Sequence, residues 1–126
     1  MSLILDSNVL LWWYADDSRL RTNGVGERIA STPDVFISLA TPWELWIKRA
    51  AGKLRLPAEF DRLMEAEEDF RLLTPSLRDV RLAADLPPLH RDPFDRLIIA
   101  QALNAGLTVA TSDAVFADYG VRVDLV

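Results

Sequence analysis

Four acidic residues stand at positions where their side chains could do chemistry together: Asp6, Glu44, Asp95 and Asp113. Carboxylates crowded into one site repel one another and raise one another's pKa, and a divalent cation removes that conflict. The chain has no cysteine and only one histidine, so we expect oxygen ligands and therefore Mg²⁺ or Mn²⁺. Such a cation activates a water molecule for attack and offsets charge on a phosphoryl oxygen.

The segment from His90 to Leu103 gives the strongest local pattern. Asp92 is predicted to be a helix N-cap, and Pro93 would take the first helical position, where its missing N–H costs nothing. Asp95 is then the third helical residue, beside the positive end of the helix dipole. The apolar surface behind it is wide, which predicts a mostly buried helix. We assign Asp92 to capping, and His90 to the surface or to packing rather than to base catalysis.

The other three acids each have a structural alternative. Asp6 ends a short apolar run, and an acid that closes a buried strand must be paired or functional. Glu44 follows Thr41, the predicted N-cap of its helix, by three residues, so it could serve only in a capping box. Asp113 follows another apolar run and could serve only as an N-cap.

The elements that would position these acids alternate along the chain. Strands are predicted over residues 2–6, 35–38, 70–73, 107–111 and 121–125. Helices are predicted over residues 7–14, 25–31, 41–51, 58–69, 76–85, 93–106 and 113–118. This alternation predicts an α/β fold, with right-handed crossovers and a parallel sheet covered on both faces.

Such sheets bind ligands beyond the carboxyl ends of their strands, at the point where strand order reverses. Asp6, Glu44 and Asp113 follow strands and fall at that edge. Asp95 precedes a strand, so it reaches the same edge only if the connector through Pro87 and Pro88 carries the chain back across the sheet.

Composition narrows the class of protein. A chain of 126 residues, half apolar and about a quarter charged, fits one globular domain with a real core. No apolar run approaches membrane-spanning length, and the N-terminus lacks the basic region of a signal peptide, so we expect a cytoplasmic protein without membrane contact. The net charge of −5 argues only weakly against a nucleic-acid substrate. The four acids account for most of the imbalance, so the remainder is nearly neutral.

The sequence resembles PIN-domain proteins of the VapC type, the ribonuclease toxins of bacterial VapBC toxin–antitoxin pairs. Four segments carry this resemblance in order: residues 5–12, residues 38–48, residues 90–97 and residues 111–113. It implies a single PIN domain over residues 1–126, a three-layer α/β/α fold and a central parallel sheet of four to five strands in the order 3-2-1-4-5. It also implies a homodimer, Mg²⁺- or Mn²⁺-dependent cleavage of RNA as the toxin of a type II system, and inhibition by a VapB-type antitoxin.

The resemblance assigns roles residue by residue. Asp6, Glu44, Asp95 and Asp113 match the acidic quartet of the family. We expect Asp6, Asp95 and Asp113 to hold the metal, and Glu44 to orient or deprotonate the attacking water. The polar neighbours of the quartet are matched by Ser7, Asn8, Thr111 and Arg96.

Two surfaces are expected to meet partners. Arg96 could contact RNA phosphates together with a basic cluster, which could equally be a solvated helix end. This cluster comprises Lys48, Arg49, Lys53 and Arg55. One or two of the four tryptophans are expected to line an apolar groove for a helix of the antitoxin. The tryptophans are Trp12, Trp13, Trp43 and Trp46.

Three other functions are weighed against the nuclease. A phospho-acceptor receiver needs a lysine after its last strand, and no lysine follows Lys53. A haloacid-dehalogenase-like phosphatase needs an aspartate two residues after Asp6, where this chain has Asn8. A catalytically silent RNA-binding or assembly domain would bind no Mg²⁺ or Mn²⁺ at the quartet, so metal titration separates it from the nuclease.

Overall fold

A computed structural model describes residues 2–126 of the chain. Five short strands form one all-parallel sheet: β1 (Leu3–Leu5), β2 (Val35–Ser38), β3 (Arg71–Leu73), β4 (Thr108–Thr111) and β5 (Val123–Leu125). Their order is β3-β2-β1-β4-β5, which confirms the predicted order. The central strand β1 pairs with β2 on one side and β4 on the other, so strand order reverses beside it.

Helices cover the connections between the strands. They are α1 (Ser7–Tyr14), α2 (Arg19–Thr22), α3 (Val25–Ser31), α4 (Ala40–Ala50), α5 (Phe60–Ala66), α6 (Leu77–Asp85), α7 (Pro93–Ala105) and a 3-10 helix (Ala114–Tyr119). The sequence pattern did not predict α2, because a single turn without a side-chain cap carries no period to detect. Helix α5 and strand β5 are shorter than predicted, whereas α1 and α3 have the predicted bounds.

Two apolar clusters cover the two faces of the sheet. Leu3 and Leu5 join a cluster that includes side chains from α1 to α5, whereas Ile4 between them joins the cluster beneath α7. This alternation follows from the pleat of a strand, which turns successive side chains to opposite faces. Because β1 is completely buried on both faces, it reads as a continuous apolar run. The three-layer α/β/α architecture is therefore confirmed.

The predicted start of α4 is wrong. The helix begins at Ala40 after the N-cap Leu39, which provides no side-chain cap, so Thr41 lies inside the first turn. The Thr41 hydroxyl is fully buried and has no hydrogen-bond partner among the described residues. Because Thr41 caps nothing, Glu44 has no capping-box role, and its carboxylate is available for other contacts.

The remaining helix ends largely follow their sequence signals. Asp92 accepts from the N–H groups of Phe94 (2.8 Å) and Asp95 (3.4 Å) at the start of α7, as predicted. Ser76 and Asp79 form a complete capping box at α6. Gly106 ends α7 in the left-handed conformation (φ 68°) that glycine adopts most easily. Within residues 2–126, no helix has both the length and the apolar character that crossing a bilayer requires.

Candidate active site

All four predicted acids line one cleft of about 170 Å³. Its lining residues are Asp6, Ser7, Asn8, Glu44, Lys48, Asp92, Asp95, Ser112 and Asp113. Asp6 and Asp113 lie just beyond the carboxyl ends of β1 and β4, where strand order reverses. The cleft therefore lies where the alternating fold predicts a ligand site, and Asp92 adds a fifth carboxylate to it.

Both carboxylate oxygens of Asp6 accept hydrogen bonds. One oxygen accepts from the N–H of Val9 (3.0 Å), which makes Asp6 the N-cap of α1, and the other accepts from the Thr111 hydroxyl. The Thr111 oxygen in turn accepts from the N–H of Asp113 (3.0 Å), so Thr111 joins two of the acids. Burial raises the pKa of Asp6, and the bond from Thr111 opposes that shift.

Glu44 is buried, with only 5% of its surface exposed. Its Oε1 accepts from the Ser7 hydroxyl at 2.6 Å, and its Oε2 lies 3.3 Å from the ammonium of Lys48, one helical turn along α4. Ser7 therefore has a contact that suits its predicted role as a polar neighbour. Asn8 lines the same cleft but is exposed.

Asp95, in the first turn of α7, lines the cleft together with Asp6 and Asp113, so the start of α7 lies at the carboxyl edge of the sheet, as the prediction for Asp95 required. Its pKa is raised to about 7, first by burial and then by the negative charge of Asp92, while His90 opposes the shift. A carboxyl group with so high a pKa has too little positive charge around it to stabilise its ionised form. The N-terminus of α7 does not supply that charge in full, and the residue that caps it, Asp92, adds negative charge instead.

The connector between α6 and α7 is fixed by Arg96. Its guanidinium donates to five backbone carbonyls, at 2.7–3.4 Å. The acceptors are Ala83, Ala84, Leu86, Pro87 and His90. A guanidinium has five N–H groups, so none is left for a phosphate. The expected contact of Arg96 with RNA phosphates is therefore wrong, and Arg96 instead positions the backbone that leads into the cleft.

His90 lies behind two acids of the cleft, and sequence reasoning missed these contacts. Its ring packs edge-on against Phe116, in keeping with the predicted packing role. Its Nε2, however, lies 3.0 Å from Oδ2 of Asp95 and 3.1 Å from Oδ2 of Asp113. Nδ1 accepts from the N–H of Asp92 (3.2 Å), which leaves the ring proton on Nε2, facing the two carboxylates. Nothing in the sequence around His90 indicates that its ring would contact Asp95 and Asp113.

The donor set of the cleft fits a hard divalent cation. Carboxylate oxygens are the ligands that Mg²⁺ and Mn²⁺ prefer, and five carboxylates face one small space. Burial raises the pKa of Asp6 and of Asp95, and the charge of neighbouring carboxylates adds to each shift, so a bound cation would favour the ionised forms of both acids. A carboxylate oxygen of Asp95, one of Asp113 and a ring nitrogen of His90 lie within 4.8 Å of one another, and the ring nitrogen faces the two acids as a hydrogen-bond donor.

The PIN domain family model matches residues 3–121, which is nearly the whole sequence. The chain belongs to the PIN domain family. PIN domains are nucleases. A comparison with curated proteins finds no match to this PIN domain.

Solved structures share the fold of this PIN domain over almost its whole length. VapBC2 from Rickettsia felis, bound to a DNA fragment from its promoter, has 14% identity, a TM-score of 0.72, and coverage of 99% of this chain and 98% of its own. DNA-bound VapBC from Salmonella typhimurium has 21% identity and a TM-score of 0.71, covering 98% and 97%. VapBC-1 from nontypeable Haemophilus influenzae has 18% identity and a TM-score of 0.71, covering 99% and 98%. At these identities the likeness establishes the fold.

Proposed function

We propose that this PIN domain is a metal-dependent endoribonuclease and the toxin of a type II toxin–antitoxin system. The observation that carries the nuclease proposal is the cleft in which Asp6, Glu44, Asp95 and Asp113 meet. Distant segments of the chain contribute one acid each, and a fold has no structural need to bring them together. Carboxylates whose charge is not compensated destabilise a fold, and proteins keep them mainly where function requires them.

The contacts of each residue in the cleft fit it for a different role. Asp6, Asp95 and Asp113 would hold Mg²⁺ or Mn²⁺, because their carboxylates converge from two strand ends and the start of α7. The cation, when bound, supplies Lewis acidity toward the phosphoryl group and makes water a better nucleophile at neutral pH. Glu44 would orient the attacking water or accept its proton, since the Ser7 hydroxyl and Lys48 hold both of its oxygens in place.

Three further residues support that arrangement without contacting the substrate. Thr111 fixes Asp6 through its hydroxyl and Asp113 through the backbone N–H. Ser7 fixes Glu44, and Arg96 fixes the connector that brings Asp95 to the edge of the sheet. Such contacts orient metal ligands and raise metal affinity. The predicted second-shell role of Asn8 stays a proposal, supported by its place in the lining of the cleft.

The toxin proposal draws on a second feature, an exposed apolar surface around Trp43. The Trp43 side chain is 60% exposed and lies between two grooves of about 360 Å³ and 240 Å³. The exposed residues Val80 and Leu39 each line one of these grooves, and the exposed Ile47 lies one helical turn from Trp43 along α4. A patch of this kind suits a helix of a VapB-type antitoxin. Homodimerisation and a cytoplasmic location belong to the same proposal, and the similar structures named above are toxin–antitoxin complexes.

The decisive experiment compares the unaltered chain with Asp6→Asn. We expect the unaltered chain to bind Mn²⁺ in a calorimetric titration and to cleave RNA only when the metal is present. Asp6→Asn should keep the far-UV circular dichroism of the fold and lose both activities. Asp118→Asn, which removes an exposed acid outside the cleft, is the matched control. Undiminished cleavage by Asp6→Asn would refute the metal role.

The cellular experiment tests the toxin and identifies the RNA. Brief induction of the chain should arrest growth, and sequencing of RNA ends should show new termini that are absent with Asp6→Asn. Co-expression of the small protein encoded beside it should restore growth. Healthy growth of a host that expresses the intact chain would contradict the toxin proposal. A silent binding domain would show no Mn²⁺ binding at the cleft.

A further inference from the structure

We propose that Lys48 binds the phosphodiester group of the RNA next to Glu44 and so sets where the scissile bond lies in the cleft. This inference rests on the proposed nuclease function and adds a substrate-binding residue to it. Of the described residues that line the cleft, Lys48 is the one cation among five carboxylates. Its side chain is half exposed, so RNA can reach it from solvent.

The geometry of α4 holds the Lys48 ammonium at the mouth of the cleft. Lys48 follows Glu44 by one helical turn, and its Nζ lies 3.3 Å from Oε2 of that buried carboxylate. An ammonium carries three N–H donors. The contact with Glu44 is the one ion pair of Lys48 within the described part of the chain, so donors remain for a phosphate.

The other cations of the predicted basic cluster are placed differently. Arg49 points to the other side of α4, where it donates twice to Asp61, at 2.8 Å and 3.1 Å. Asp61 also accepts from the indole N–H of Trp46, which fixes that ion pair. Lys53 and Arg55 lie beyond the end of α4, are exposed and do not line the cleft. The structure thus separates one residue from a cluster that the sequence could not divide.

A bound divalent cation does not offset all of the negative charge in the cleft, and Lys48 supplies a further positive charge there. Five carboxylates carry more negative charge than one such cation offsets, and an incoming phosphodiester adds another. A lysine behaves as a compact point charge for phosphate. Because Lys48 contacts Glu44, a phosphate held by Lys48 lies beside the group proposed to orient the attacking water.

The test compares Lys48→Met with Lys53→Met, which removes the same charge from the same end of α4 outside the cleft. Binding of a short fluorescein-labelled single-stranded RNA is measured by anisotropy over a range of KCl concentrations, with Ca²⁺ replacing Mn²⁺ and the RNA checked for integrity on a gel. We expect the slope of log K against log salt concentration to fall by about 0.7 for Lys48→Met, the value of one lost phosphate contact on a single strand. Lys53→Met should leave that slope unchanged.

Two further readouts separate substrate binding from support of Glu44. With Mn²⁺, Lys48→Met should raise KM for RNA about tenfold, as loss of one good contact does, while calorimetric Mn²⁺ affinity stays equal or becomes tighter. Lys48→Arg should restore most of the salt slope. An unchanged slope for Lys48→Met, with cleavage reduced, would overturn the inference and leave Lys48 acting only through Glu44. A chain that neither binds Mn²⁺ nor cleaves RNA before any substitution would remove the proposed function itself, and the inference with it.

Discussion

The imidazole Nε2 of His90 lies 3.0 Å from Oδ2 of Asp95, and the same nitrogen lies 3.1 Å from Oδ2 of Asp113. A single N–H group therefore spans two carboxylates that belong to different elements of the fold. Because the backbone N–H of Asp92 occupies Nδ1, the ring acts as a donor and not as a metal ligand. His90 holds Oδ2 of each acid, and Oδ1 of Asp113 accepts from the N–H of Val115 as the cap of the 3-10 helix, so Oδ1 of Asp95 is the oxygen of the pair that is left for the cleft.

The first prediction concerns the metal affinity of a His90 variant. His90→Ala removes the outer hydrogen bond to Asp95 and Asp113, so calorimetric Mn²⁺ affinity should fall about tenfold or more. His90→Gln keeps an N–H donor on its side chain and should give an intermediate value. Equal affinities for all three proteins would show that His90 does not position these carboxylates.

The same residue allows a spectroscopic check, because it is the only histidine in the chain. Electron spin-echo envelope modulation of the Mn²⁺-loaded protein should lack the strong ¹⁴N modulation of a directly bound imidazole. A strong modulation that disappears in His90→Ala would mean that the ring exchanges its Nδ1 contact for the metal.

The sequence predicted the parts of this site that depend on local pattern. Asp92, Pro93 and Asp95 form a capping arrangement whose signals all lie within four residues, and the structure has it as predicted. The alternation of strands and helices was enough to place Asp6 and Asp113 at one edge of a parallel sheet. Both predictions rest on short-range sequence signals or on general rules of topology, and a single sequence is enough to apply them.

The parts that were missed depend on long-range contacts. Nothing near Arg96 indicates that it meets five carbonyls of the connector, because that contact exists only after α6 packs against α7. His90 likewise has no local partner that marks it for Asp113, which lies 23 residues away. The cap predicted at Thr41 failed because the helix starts earlier, where Leu39 leaves no side-chain signal.

The second prediction is that Asp95→Asn stabilises the metal-free protein. Above its pKa of about 7, Asp95 carries a charge that burial disfavours first and that Asp92, Glu44 and Asp6 also repel, and the substitution removes that charge. In EDTA, the free energy of unfolding in urea should rise on the order of 1 kcal/mol, while Mn²⁺ binding is lost. Asp118→Asn should change the free energy of unfolding little, since that side chain is exposed. A less stable Asp95→Asn protein in EDTA would contradict the repulsion described here.

The third prediction is a pH dependence of the metal-free protein. The Asp95 pKa is about 7 in the fold and about 3.9 in an unfolded chain, so the folded state binds more protons between those values. The free energy of unfolding in EDTA should therefore decrease as pH rises from about 4 to about 7. Above about pH 7, Asp95 should cause no further change. The decrease should be smaller in Asp95→Asn, and saturating Mg²⁺ should reduce it in the unaltered chain. Equal pH slopes for the two proteins would refute the assignment to Asp95.

The fourth prediction concerns the buried hydroxyl of Thr41. Because that oxygen has no partner within residues 2–126, Thr41→Val should leave the protein as stable or raise its free energy of unfolding by about 1 kcal/mol. Thr111→Val makes the same chemical change where the hydroxyl is hydrogen-bonded to Asp6, and it should destabilise the fold. Opposite signs in urea denaturation are the expected result. Equal losses for both variants would indicate an unseen partner for Thr41.

The last prediction separates Arg96 from a phosphate-binding role. Arg96→Lys keeps the positive charge but has three donors without the planar fork, so it cannot meet five carbonyls. We expect a loss of about 2–3 kcal/mol in the free energy of unfolding and faster hydrogen exchange in residues 86–91. The salt slope of RNA binding should stay that of the unaltered chain, because no phosphate contact is lost. A reduced slope with unchanged stability would mean that Arg96 leaves the carbonyls to bind RNA. A retained slope with weaker Mn²⁺ affinity would instead show that the connector fixed by Arg96 positions Asp95 for metal binding.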